Sequence, residues 1–142
     1  MFRYWKLRSW LARRFPEKSL GERGEDAAAR YLKRKGYRIL ARHVDIPVGE
    51  LDIIAVERRT IVFIEVKTRT STDAGHASEA IDARKERRMT QAALSYLKSN
   101  GLLNYSARFD VVAITWPESS RRPTIEHYEN AFSPVGSGQF FS

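Results

Sequence analysis

At 142 residues the chain has the length of one domain, and its 42% hydrophobic and 30% charged residues fit neither a disordered chain nor a coiled coil. Lys and Arg number 25 against 17 Asp and Glu, and the resulting charge of +8 favours polyanionic partners such as nucleic acid, anionic lipid or the ribosome. With no cysteine, a disulfide framework and a Cys-ligated zinc site are excluded. No apolar run approaches the ~18 residues of a membrane span or the unbroken core of a secretory signal, so a cytoplasmic protein is expected.

Residues 1–18 carry six cations (Arg3, Lys6, Arg8, Arg13, Arg14 and Lys18) against Glu17, with Phe2, Trp5 and Trp10 between them. This segment reads as an appendage. It is either an arm for nucleic acid or a membrane surface, or a solvated tail whose aromatics pack on the domain. Ser19 and Glu22 have the S-x-x-E spacing of a capping box, and Gly36 is a suitable stop, so a helix is predicted between them. Tyr37–Ala41 reads as a strand and Arg42–Gly49 as a loop. Leu51–Val56 and Ile61–Val66 are short Ile- and Val-rich runs, apolar on both faces, and read as central strands of a hairpin turning at residues 57–60. Thr68–Ser78 reads as a loop. A second long helix is predicted over Ser78–Asn100, with Ser78 as N-cap and Gly101 beyond the end. Arg108–Trp116 is a further strand, Thr124–Tyr128 a short edge strand, and residues 133–142 a loose tail. The order α-β-β-β-α-β-β is a mixed α/β arrangement: a central sheet flanked by helices, forming one domain over 19–132.

The hairpin carries the chemistry. With the turn centred between Arg58 and Arg59, cross-strand partners sum to about 117 by simple register, so Asp52 faces Glu65 on one side of the sheet. Lys67, two residues beyond Glu65, shares that side. Two adjacent carboxylates repel each other unless a cation intervenes, and Mg²⁺ or Mn²⁺ suits one or two carboxylates completed by water and phosphate oxygens. In the predicted first helix, Glu25 continues the stripe Ala28, Ala29, Leu32 toward the core, so Glu25 is the third acid. Asp26, with Arg30 and Lys33, points to solvent. This set outlines a metal-dependent phosphodiesterase site; the other reading is a strand-end Glu-Lys ion pair at the surface.

The segments GERGEDAAARYLKRKGYRIL, GELDIIA, FIEVKTR, EAIDARKERRMTQAALSYL, RFDVVAI and HYENAF, spanning about Gly21 to Phe132, resemble the uncharacterised bacterial YraN-type family. That family is in turn similar to archaeal Holliday-junction resolvases and to the PD-(D/E)xK nuclease superfamily. The resemblance implies a restriction-endonuclease-like core and Mg²⁺- or Mn²⁺-dependent cleavage of DNA, with branched or junction DNA as one substrate class. It maps the metal-binding acids to Asp52 and Glu65, the catalytic lysine to Lys67 and the helix acid to Glu25. Leu51 stands where the superfamily pattern has proline. Cutting both strands of a duplex would favour a homodimer. The alternative function is a nucleic-acid-binding module with a nuclease-like fold and no turnover.

On the second long helix Lys85 interrupts the apolar stripe, either reaching a phosphate beside the site or snorkelling to water. Arg84, Arg87 and Arg88, with Lys67 and Arg69, would track a phosphate backbone without reading sequence. His43, His76 and His127 have no metal-ligand spacing and read as surface or structural residues. Asp110 reads as a support for the sheet or for a neighbouring cation, and Trp116 as a strand-end packing residue.

Overall fold

A computed structural model describes residues 17–71 and 82–134. Helix α1 (Leu20–Arg34) starts where the capping signal places it: Ser19 Oγ accepts the Glu22 N–H at 3.2 Å, one half of the predicted box. Lys35 is its C-cap, and Gly36 follows at φ +94°, a conformation a side chain would resist. Next come strands β1 (Arg38–Ile46), β2 (Gly49–Glu57) and β3 (Thr60–Arg69), helix α2 (Ala83–Ser99), and strands β4 (Ser106–Thr115) and β5 (Thr124–Phe132). The element order is the one predicted. The strands form one sheet in the order β1-β2-β3-β4-β5, antiparallel except for the parallel β3–β4 pair, with α2 in the connection between those two strands.

Three boundaries differ from expectation. The segment read as a loop, Arg42–Gly49, is mostly strand: β1 runs to Ile46 and turns back through Pro47 and Val48. Its pattern is broken by a register shift between Ile39 and Ala41 and by His43 at φ +53°, which hides the period-2 signal. Strand β5 runs four residues past Tyr128. The extension depends on an irregularity: Asn130 at φ +51° donates its N–H to Asp110 Oδ1 at 2.9 Å, and Phe132 stacks on Phe109 with ring centroids 4.6 Å apart. Helix α2 is capped by Asp82, whose carboxylate accepts the Lys85 N–H at 2.9 Å, in place of Ser78. Residues 1–16, 72–81 and 135–142 lie outside the described residues, and so do the predicted aromatic arm, Ser78 and His76.

Each helix seals one face of the sheet. Ala28, Ala29 and Leu32 of α1 pack on Ile53, Ala55, Val62, Ile64, Val112 and Ile114. Met89, Ala92, Ala93 and Leu97 of α2 pack on Leu51, Ile54, Phe63 and Phe109. Alternation along β3 therefore sends Ile64 and Val66 toward α1, and Phe63, Glu65 and Lys67 toward α2. Gly24 lets α1 lie close to the sheet: a Cβ there would run into the Thr68 hydroxyl and come within 2.8 Å of its Cβ and Cγ2. Among the described residues no helix is long and apolar enough to cross a membrane.

Candidate active site

The hairpin register is the one expected, with Ile53 opposite Ile64 and Glu57 opposite Thr60. The ladder then stops. Beyond Ile53 and Ile64, β2 continues to Gly49 paired only with β1, while β3 continues to Arg69 paired only with β4. The sheet forks here. At the fork the Val66 N–H finds the Asp52 carboxylate, with Oδ2 at 2.8 Å, so a side chain takes the place of a main-chain acceptor. Asp52 thus sits on one arm of the fork, and Glu65 and Lys67 on the other.

Glu65 is 4% exposed. A buried carboxylate needs partners, and it has two cations: Lys85 of α2 forms an ion pair with Oε1, and Lys67 Nζ lies 3.6 Å from the same oxygen. Lys85 therefore neither snorkels away nor flanks the site; it reaches the central acid. Burial works against its charge, but Glu65 outweighs that and raises its pKa. Asp52 fares differently. Burial first, and then the neighbouring Glu65, push its carboxyl up to about 7, with Glu25 adding to the rise. Among the described residues Asp52 has no ion pair.

Glu25 faces the fork from α1. Its carboxylate lies 3.6 Å from Arg42 Nη2 and 3.7 Å from His43 Nδ1. Asp26, expected in solvent, is tied instead to Lys18 at 2.6 Å and Arg42 at 2.7 Å, and these hydrogen bonds lower its pKa. His43 also reaches Glu50 Oε1 at 3.0 Å. Glu25, His43, Glu50 and Asp52 line one open cleft of about 380 Å³. Arg42, His43 and Glu50 are the residues that sequence reasoning missed. Arg42 and His43 lay in the segment read as loop and Glu50 just past its end, and the left-handed turn that aims His43 into the cleft has no signature there.

The structure brings Asp52, Glu65, Lys67 and Lys85 together, with Glu25 on the Asp52 side of the cleft. The other predicted contacts are spread around this centre. Arg88 lines a second hollow with Lys85, Gly49 and Glu50, Arg84 is exposed on the first turn of α2, and Arg69 ends β3. Among the described residues no three of His, Cys, Asp or Glu stand together as a ready metal cage. The donor set is two carboxylates in an open cleft. That does not suit zinc, which takes three or four protein ligands. It does suit a hard cation that keeps several waters, and the raised Asp52 marks uncompensated acid in need of positive charge.

A family profile described as "Uncharacterised protein family UPF0102" matches residues 24–114. The chain belongs to this family. A UPF0102 protein of Rhodopirellula baltica is 49% identical over 125 residues, covering 86% of this chain and 75% of that protein. A UPF0102 protein of Pelotomaculum thermopropionicum is 44% identical over 115 residues, covering 81% of this chain and 96% of the relative. One from Geobacter sulfurreducens is 48% identical over the same length, covering 81% and 89%. The matched span includes every site residue named above.

Proposed function

We propose that this UPF0102 protein is a metal-dependent DNA endonuclease with a restriction-endonuclease-like core, acting at the fork between β2 and β3. The observation that carries the reading is the end of the β2–β3 ladder at Ile53 and Ile64, with Asp52 and Glu65 facing each other just beyond it. Asp52 and Glu65 would hold Mg²⁺ or Mn²⁺, which polarises a scissile phosphate and lowers the pKa of bound water. Lys67, on the face of β3 that carries Glu65, offers its ammonium to the attacking water or to charge developing on the phosphate. Lys85 holds Glu65 in place through their ion pair. Glu25 holds Arg42 and His43 at the rim of the cleft, where they meet the backbone of an entering strand. Arg69, Arg84 and Arg88 extend the cationic surface, and contacts of this kind position DNA without reading its bases.

The absence of a three-ligand cage among the described residues favours one other reading, a nucleic-acid-binding module without turnover. One assay separates them. Pure protein is incubated with duplex, single-stranded and branched DNA in Mg²⁺, Mn²⁺ or chelator, beside the Asp52→Asn variant. Cleavage by the wild type that needs the metal and disappears in the variant supports the endonuclease. Binding that ignores both metal and variant, with no cleavage of any substrate, supports the module.

A further inference from the structure

A second cavity lies away from the fork. It measures about 510 Å³, in the size range of small-ligand sites, and its walls include Arg30, Arg34, Arg121 and Arg122 beside the rings of Tyr31 and Trp116. Tyr31, Arg34 and Arg30 fall on one stripe of α1, and Glu25 belongs to the stripe on the other flank. The cavity and the fork therefore lie on opposite sides of one helix. Among the described residues no acid lines the cavity, and none of these four arginines is found in an ion pair. Four guanidiniums that are not neutralised in place, around two aromatic walls, suit a ligand with both phosphates and flat rings: guanidinium forks match phosphate oxygens, and rings pack against bases. The two sites are joined at one end of the sheet. Trp116 donates its main-chain N–H to the Arg69 carbonyl at 2.7 Å, and the Arg23 guanidinium lies 4.1 Å above the Trp116 ring.

We propose that this cavity binds an unpaired stretch of nucleic acid, and that a strand held there wraps the start of α1 to reach the fork. The nucleic-acid partner rests on the reading above; the site itself does not depend on catalysis. An acidic peptide would satisfy the arginines but leave the two rings unused.

The test is fluorescence anisotropy of a labelled oligothymidylate of 16 residues, in chelator, across a salt series, with the full chain and with an Arg121→Glu, Arg122→Glu double variant. Both positions are exposed, and circular dichroism checks that the fold is kept. Affinity should fall at least tenfold, and the log–log salt slope should shrink by about 1.4, from about 0.7 for each single-strand phosphate contact. Unchanged affinity and slope in a folded variant overturn the proposal. Oligonucleotides bearing 5-bromodeoxyuridine should crosslink to Tyr31 or Trp116; crosslinks found only elsewhere overturn it. Displacement by a polyglutamate peptide of equal charge as effective as by unlabelled oligonucleotide also overturns it. The same measurements on Asp52→Asn keep the two readings apart. A chain that binds through Arg121 and Arg122 but cuts nothing loses the endonuclease and keeps this site; one that cuts DNA and ignores the double variant does the reverse.

Discussion

Asp52 and Asp110 both sit on interior strands of the same sheet, close to cations, and their surroundings treat them in opposite ways. Asp110 is fully buried and accepts hydrogen bonds from Arg108 Nε at 3.0 Å, Arg108 Nη2 at 3.3 Å, His127 Nε2 at 2.8 Å and the Asn130 N–H at 2.9 Å. Burial alone would raise its pKa, yet these donors hold the carboxyl below the usual carboxylate range. His127 is fixed by the same network: Lys35 approaches Nδ1 at 2.8 Å as a donor, so the ring proton sits on Nε2 and points at Asp110. Asp52 has one backbone donor and a second acid for a neighbour, and its carboxyl is pushed up to about 7. Both are carboxylates on inner strands of a small α/β domain, Asp110 buried and Asp52 half-buried. The one whose bonds are complete holds strands together, and the one left short of positive charge is the one to which the proposed function assigns a metal ion.

The largest expected effect tests that division at Asp52. Asp52→Asn should lower metal-dependent cleavage by about two orders of magnitude or more, because it removes a charge from the proposed metal site. Its urea midpoint should match or exceed that of the wild type, since the amide oxygen can still accept the Val66 N–H and the repulsion with Glu65 is gone. A clear loss of stability together with retained cleavage would make Asp52 a structural residue. The reverse is expected at the other aspartate. Asp110→Ala strips partners from Arg108 and His127 at once and should cost about 3–5 kcal/mol, read from urea unfolding. A cost under ~1 kcal/mol would mean the network holds nothing that packing does not.

The same contrast explains what could be read in the sequence. The fork pair was legible because Asp52 and Glu65 stand on apolar runs, where a charge needs a reason, and because a tight turn fixes the register. Asp110 drew notice on the same grounds. Its partner His127, however, sits 17 residues away on an edge strand whose irregularity at Asn130 no local pattern encodes. His43 and Arg42 were lost for a related reason: β1 is an exposed edge strand whose alternation is broken twice, so its second half, from Arg42 on, was not distinguished from loop. Lys85 was seen on the inner stripe of α2, but only the packing of α2 against β3 shows that it ends on Glu65 rather than in water.

A smaller effect is expected at Gly24, which sets how near α1 can bring Glu25 to the fork. Gly24→Ala should destabilise by about 1–3 kcal/mol in thermal or urea unfolding, because Thr68 is short, β-branched and anchored on a paired strand, and cannot swing aside. If α1 shifts outward to make room, cleavage should fall as well, with the metal dependence of the remaining activity unchanged. A variant as stable and active as the wild type would show that the helix has slack on this side.

The mildest perturbation is acid, followed below the range near pH 7 where the Asp52 carboxyl takes up its proton. Asp110 binds its proton more weakly in the folded chain than in the unfolded one. Its stabilising contribution is therefore complete above the unfolded carboxylate value of about 4, declines as pH falls from there through the lower folded value, and vanishes below both. The wild-type urea midpoint should accordingly drop between about pH 5 and pH 2, and Asp110→Asn, with nothing to titrate at that position, should fall less steeply. The two curves should then draw together at the acid end, where the wild type has lost the advantage of its ionised carboxylate. Curves that run parallel over this range would place the acid sensitivity of the fold in other carboxylates and reduce the Asp110 network to packing.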